Sequence, residues 1–560
     1  MLRRGVLGVC ALLAACDDRP TPFLDAAAPR DAAPDAPDAP PQVVPIAPRT
    51  PGADACAVAA REALSAGCEY WATQTPHTVL GRLAEGARRD DHPFAVVLSN
   101  PWATPVAATL SGGTLSAPTR VVVPPQDSLA VDIPWDAALV DAGDHTRRRS
   151  GLRRAGAVHI VAEVPLEALQ ISPRRVVLNP ADCEGRGPDT CYAYSADASR
   201  LWPVHALGTA YTVVTLPTQR VLAAGATRWS AAPGFVAVVA TEDHTEITLT
   251  ARGTTVAGEG LAAVAVGESA RVVLNAGDVA LWVGPSDEDC ADDVFEPLSR
   301  SRFCRPGPGD DLTGSALRAS APVAVWVGHD CAMVPFDRFA CDHLEEQLPP
   351  DAALGTRYHV ARVVPVLPRL AGDPPEGEPA VLRIVATRDD TTLRVTPTPP
   401  EALGTLRAGQ AITLTTRDDL LVEATAPVVV ATLRAGSEWW PATVPITRAA
   451  LGDPAMAIEA PTAQRSAEHT VWVPDGYDRA WAVATLPAGA RVRVDGALAT
   501  ETPREGNGQR VQAVALRPGW HRLSAEPAAA RFGVRVEAVA PFAAMAYGAG
   551  GSLRAVEPPQ

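Results

Sequence analysis

Two imidazoles and two carboxylates crowd one short stretch of this 560-residue chain, in Gly328-His329-Asp330-Cys331 and then Cys341-Asp342-His343. If Cys331 and Cys341 are bridged, His329, Asp330, Asp342 and His343 flank one loop. That donor set could hold zinc or another transition metal. The plainer reading is that these side chains hydrogen-bond loop backbone and fix a connection between structural units. A second group lies in Asp287-Glu288-Asp289-Cys290-Ala291-Asp292-Asp293 and Gly309-Asp310-Asp311. Closely spaced carboxylates such as Asp289, Asp292 and Asp293 in a pinned loop could ligate calcium, although the spacing is not that of an EF-hand. Trp439-Trp440 would offer a stacking face, but aromatic residues are scarce in this chain and burial of at least one is favoured. There is no GxSxG elbow, no HExxH, no phosphate-binding GxxxxGK[ST] and no GxGxxG opening a helix. The expectation is no catalytic residue, no enzyme and no cofactor beyond the calcium candidate.

One further thiol carries chemistry by position. Arg3 and Arg4 precede an apolar run from Val6 to Ala15 that ends in Leu13-Ala14-Ala15-Cys16. The run is too short to span a bilayer and fits a signal-peptide core over residues 1–16. The pattern resembles the bacterial lipobox, which implies a diacylglyceryl group on Cys16. Residues 17–55 are rich in Ala, Pro and Asp. Proline removes backbone donors and the aspartates repel, so this stretch reads as a disordered tether able to extend about 100 Å. The predicted address is the extracytoplasmic face of the cell envelope, with the outer membrane or cell surface favoured and inner against outer undecided.

Cysteine usage agrees with that address. Beyond Cys10 and Cys16, eight cysteines remain, in the close couples Cys56 and Cys68, Cys183 and Cys191, Cys290 and Cys304, Cys331 and Cys341. No CxxC pair occurs, so disulfides are preferred to zinc, and clustering favours sequential pairing in an oxidising compartment. The net charge is −15 and every basic residue is arginine. An acidic balance argues against nucleic acid as a partner. The basic run Arg147-Arg148-Arg149 with Arg153 and Arg154 reads as a solvated loop.

The elements that must position these residues repeat. Leu207-Gly208-Thr209-Ala210-Tyr211 recurs as Leu354-Gly355-Thr356-Arg357-Tyr358, and Ala240 to Thr250 recurs as Ala386 to Thr396. Each of the latter reads as a hairpin, an apolar strand reversed by an Asp-containing turn into a period-two strand. A later signature pairs Ala321-Pro322-Val323 with Ala426-Pro427-Val428, the earlier unit carrying about forty extra residues. Its proline suits a strand's first residue or an edge. Fainter copies involve Phe94 to Leu98 with Val164-Pro165-Leu166, and Trp481 to Ala484 with Glu526-Pro527-Ala528. Helical periodicity is scarce outside Ala57–Ala66. The predicted fold is all-β, with about four tandem antiparallel sandwich-like units at 56–205, 206–350, 351–446 and 447–560 and disulfide-pinned loops. A propeller-like ring is the alternative, disfavoured because the units are too long for single blades.

The chain resembles the IgGFc-binding-protein N-terminal domain family, which has bacterial, myxobacterial-type lipoproteins among its members. The resemblance runs from about Cys68 to Ala549. It is carried by Phe94 to Leu98 with Ser99-Asn100-Pro101, by Leu207 to Tyr211, by Asp310-Asp311-Leu312, and by Cys341 to Pro350 with Leu354 to Tyr358. It implies a β-rich extracellular interaction domain, and no motif names an antibody-contacting residue. The expected function is a lipid-anchored binding or adhesion module for a protein or glycan at the envelope. The alternatives are a carbohydrate-active or hydrolytic accessory protein, and a structural envelope spacer.

Overall fold

The computed structural model describes residues 49–77, 92–140, 148–175, 196–297, 299–338, 341–366, 378–401, 403–436, 439, 452–540 and 543–554. The signal segment with Cys16, the tether up to residue 48, Arg147, Cys183, Cys191 and Trp440 lie outside them. Apart from short helices such as Ala55–Arg61 and Ala137–Val140, the regular structure is antiparallel sheet.

A single device builds each unit. One long strand bends midway, and its two halves belong to two different sheets. In the first unit this shared strand is Val158–Ser172. Its first half pairs with Gly67–Ala72 and Val106–Gly112, its second half with Phe94–Asn100 and Asp197–Leu201. Thr119–Val123 and Asp127–Ile133 extend the two sheets outward. Ala316–Ala332 does the same in the second unit and Leu420–Arg434 in the third, with identical strand order. In the last unit the shared strand is broken into Gly519–Glu526 and Gly533–Ala540, and the neighbours of each piece follow the same scheme.

Two readings of the sequence need correction. The expected hairpins around Asp243 and Asp389 do not exist: Gly234–Ala240 and Thr245–Thr250 do not pair with each other but with different stretches of the shared strand. The turn is an arch between layers. Different burial explains this, since the first strand is buried on both faces and the second alternates. The prolines also do not open strands. Pro165, Pro322 and Pro427 sit inside the shared strands at the bend, where both ladders skip residues. A missing N–H costs nothing in such a gap. The hydroxyls of Thr241 and Thr387 donate to the carbonyls of Pro322 and Pro427 there, at 2.6 and 2.7 Å.

A buried tyrosine locks each bend from the other side. Tyr211 Oη accepts the Gly208 amide at 2.9 Å and donates to the Val323 carbonyl at 2.6 Å. Tyr70 makes the same bridge from Gly67 to Leu166, and Tyr358 from Gly355 to Val428. The glycine is required because a Cβ on Gly208 would stand 2.6 Å from Pro350, at the start of the connection to the next unit. Gly67 meets Pro203 and Gly355 meets Pro461 in the same way.

The units close into a ring. The strands Phe94–Asn100, Gly234–Ala240 and Ala380–Ala386 are buried on both faces because one face packs in its own sandwich and the other against a neighbouring unit. Ala95 and Val97 of the first unit pack with Ala482, Val536 and Met545 of the last. The innermost strands Asp197–Leu201, Asp342–Gln347, Ala455–Ile458 and Ala543–Gly548 lie against one another in cyclic order. The all-β, sandwich-like class expected from the sequence therefore holds, as curled antiparallel sheets.

At the centre, Asp197 accepts amides from all four inner strands. Its Oδ1 takes Ala198 N at 2.9 Å and Ala546 N at 3.1 Å, and its Oδ2 takes Glu345 N at 3.2 Å and Met456 N at 3.4 Å. Burial pushes this carboxyl well up, while the amide donors pull it back. Asp197→Asn turns two acceptor sites toward donors and leaves buried amides unpaired. We expect a loss of about 3 kcal/mol or more in urea denaturation, with the fold retained at low denaturant. An unchanged midpoint would remove Asp197 from this role.

Candidate functional site

The histidine and aspartate group of the second unit is dispersed among separate partners. Asp330 forms a buried bidentate pair with Arg148, Nε to Oδ2 at 2.9 Å and Nη2 to Oδ1 at 2.8 Å. Arg148 is therefore a core residue, which corrects the solvated-loop reading. Its position in sequence suggested exposure, but the chain around it feeds the edge strand Gly151–Arg153 onto the second unit. Arg153 and Arg154 pair with Asp136 and Asp278, and Arg149 is exposed. Asp342 accepts the amides of Ala196, His343 and Ala544. His343 stacks on His77 with ring centroids 4.5 Å apart, its Nε2 lying 3.3 Å from Thr75 Oγ1 and 3.5 Å from Glu345. Among the described residues, no three His, Cys, Asp or Glu side chains are grouped to hold a metal ion.

Burial sets the electrostatics of this region. It lowers His343 to about 3 and His329 to about 4, and raises Glu345 to about 7. His329 Nε2 lies 3.1 Å from the Pro217 carbonyl and its Nδ1 accepts the Cys331 amide at 3.2 Å. A proton on Nδ1 would face that N–H, so the ring is neutral. This group therefore serves as a fixed backbone clamp.

The acidic insertion folds as a small sheet of Gln219–Leu222, Ser230–Ala232, Asp293–Glu296 and Ser301–Cys304, closed by Cys290–Cys304. Its carboxylates meet arginines: Asp287 and Asp310 pair with Arg220, Glu288 with Arg228, Asp292 with Arg305 and Asp293 with Arg302. The Asp289 amide donates to Asp287 at 3.1 Å. Disulfides also join Cys56 to Cys68 and Cys331 to Cys341. Trp439 is half-buried.

The concave site that residue spacing did not reveal is the seam where first and last units meet. Gly551 and Ser552 continue from the last inner strand and bond back to Ser65 and Gln464, and Leu553 N donates to the Ala63 carbonyl at 2.7 Å. Beside this closure lies a cleft of about 190 Å³ lined by Arg49, Trp102, Glu468, His469 and Arg522. Asn100 ends a buried strand, accepts the Trp102 amide at 2.9 Å and donates to the carbonyls of Val123 and Pro124. The Trp102 indole donates to Pro165 O at 2.7 Å, so the half-buried ring is fixed from two directions. Across from it, Arg522 Nη2 holds Glu468 Oε2 at 2.8 Å, Arg49 holds Oε1 at 2.9 Å, and the buried Arg522 Nη1 has no partner. An aromatic wall and fixed charges line this cleft. The only sequence signal was Asn100-Pro101-Trp102 after an apolar strand, because Arg522 lies some 420 residues away.

His329 also gives a pH test. A folded pKa of about 4 against an unfolded value near 6.5 means that the unfolded chain takes up the proton first on acidification. The contribution is complete above pH 6.5 and falls away towards pH 4, by about 2.5 kcal/mol between pH 7 and pH 4.5. We expect the stability advantage of the parent over His329→Gln to shrink by about that amount, measured by urea denaturation at the two pH values. A difference independent of pH would contradict the neutral clamp.

The model of the family described as IgGFc binding protein matches residues 197–548. The human IgGFc-binding protein is 49% identical over 57 residues, 10% of this chain and 1% of that protein. No solved structure matches. The family match begins on the central Asp197 and ends with the last inner strand, so it takes in all four inner strands. Covering well over half of the sequence, it shows that this chain belongs to the IgGFc-binding protein family.

Proposed function

We propose that the chain is an extracytoplasmic binding module, lipid-anchored through Cys16, that engages an extracellular protein or glycan through the seam cleft. The observation that carries this reading is the fixed Trp102 ring in a cleft that it lines together with Arg49, Glu468 and Arg522. A tryptophan face supplies apolar contact area and a guanidinium supplies directed donors, the pair of residue types enriched at binding hot spots. The described residues hold no helix long and apolar enough to cross a membrane. The disulfides suit an oxidising compartment. The names of the family and of the human relative refer to the Fc part of immunoglobulin G, so Fc belongs among the ligands to test.

Two experiments bear on this. The detergent-solubilised full chain should retain a ligand from a panel of Fc, extracellular matrix proteins and immobilised glycans. Trp102→Ala should weaken that binding at least tenfold in a protein that is less stable but still unfolds cooperatively, and equal affinity would clear the cleft of this role. Cys16→Ser should move the protein from the membrane fraction to the soluble fraction. Continued sedimentation with membranes would count against the lipid anchor.

A further inference from the structure

A second concavity lies where the second and third units touch, remote in sequence from the seam. Gly314 and Gly409 meet there backbone to backbone: a Cβ on Gly314 would stand 1.8 Å from the Gly409 carbonyl oxygen, and one on Gly409 2.5 Å from that of Gly314. Both have φ in the left-handed region, +84° and +74°. This contact forms the base of an open groove of about 490 Å³ with a polar lining that includes Arg252, Arg383, Asp311, Thr405 and Gln410.

Two guanidinium groups line this groove. Arg383 is buried and held in place, Nη1 donating to Thr215 O at 2.6 Å and Nη2 to Asp311 Oδ2 at 2.7 Å. Its Nε has no partner. Arg252 is exposed, and its side chain forms no hydrogen bond or ion pair among the described residues. Elsewhere the arginines of this acidic protein are largely committed to carboxylates, as around Asp330, Asp310 and Glu537. Arg252 and Arg383 together outweigh Asp311, leaving the groove with a positive balance. The Thr405 hydroxyl and the Gln410 side-chain NH2 add neutral hydrogen-bonding groups free of other partners.

We propose that this groove binds an acidic saccharide, the guanidinium groups taking its oxyanion and Thr405 and Gln410 its hydroxyls. The exposed, planar Arg252 guanidinium suits a carboxylate or sulfate oxygen, and a charge-assisted bond of this kind is about twice as strong as a neutral one. The polar lining suits a ligand rich in hydroxyl groups better than an apolar peptide side chain. Carboxylate and sulfate share this chemistry, and the probes separate them.

Calorimetric titration of the full chain in detergent would use glucuronate, glucose 6-sulfate, glucose and inorganic sulfate. At least one acidic sugar should bind at millimolar concentration, more weakly as salt is raised. Glucose should not bind, and inorganic sulfate should bind at least tenfold more weakly. Arg252→Ala should reduce acidic-sugar binding about tenfold or more without affecting folding, and Arg383→Lys should also reduce it. Trp102→Ala should leave it unchanged, which separates this site from the seam. Silence with both acidic sugars, equal binding of glucose, or indifference to Arg252→Ala would each overturn the proposal. Inorganic sulfate binding as tightly as the sugars would overturn its saccharide part.

Discussion

A single carboxylate at the centre of the ring carries the constraint on which the architecture depends. Asp197 receives amide hydrogens from its own inner strand and from the three others, so four segments distant in sequence converge on two oxygen atoms. Inner strands cannot all pair with one another in a closed ring, and their inward N–H groups need acceptors other than backbone carbonyls. An ionisable side chain with two oxygens meets that demand where water cannot. Asp342 does comparable work for Ala196 and Ala544, linking the second inner strand to the residues before the first and to the fourth.

Around that hub, the bent strand reconciles two demands on each unit. A sheet packed only within its own sandwich would leave its other face wet, and a lone blade would bury too little. Sharing one strand lets a single unit own a closed apolar core and also present a second buried face to its neighbour. The cost is concentrated at the bend, where both ladders lapse. Proline, threonine, glycine and tyrosine recur there, the first having no N–H to leave unpaired and the others supplying local bonds or a close approach. Ion pairs finish the junction of third and fourth units, where Arg535 and Arg434 share Glu537 while also reaching Glu459 and Glu378.

The recurring Leu-Gly-Thr-x-Tyr and Ala-Pro-Val signatures were legible because they mark this bend, where the tyrosine bridge and the close glycine–proline approach recur. Their meaning was not legible. Pro322 looks like a strand start, since a sequence does not display that a strand continues through a gap in its ladders. The all-β class followed from alternating and apolar runs, and the crowding of His329, Asp330, Asp342 and His343 marked a dense part of the structure. Its use as backbone clamp and ion pair depends on Arg148 and Thr75, which arrive from the first unit. Asp197 escaped notice because a lone aspartate near an apolar strand has no local partner. The seam cleft and the groove at Arg252 and Arg383 are built between units, so neither has a contiguous signature.

The sharing of one strand by two sheets has a thermodynamic consequence for recognition. Sheets joined only by loops can slide or splay, and a ligand that bridges them must then supply the ordering free energy. Here one covalent strand couples the layers of each of the first three units, and tyrosine hydroxyls fix the angle between its halves. Surfaces at unit boundaries are thus shaped before any encounter. Binding there loses little conformational entropy from the scaffold, so contacts have mainly the rigid-body and desolvation costs to offset.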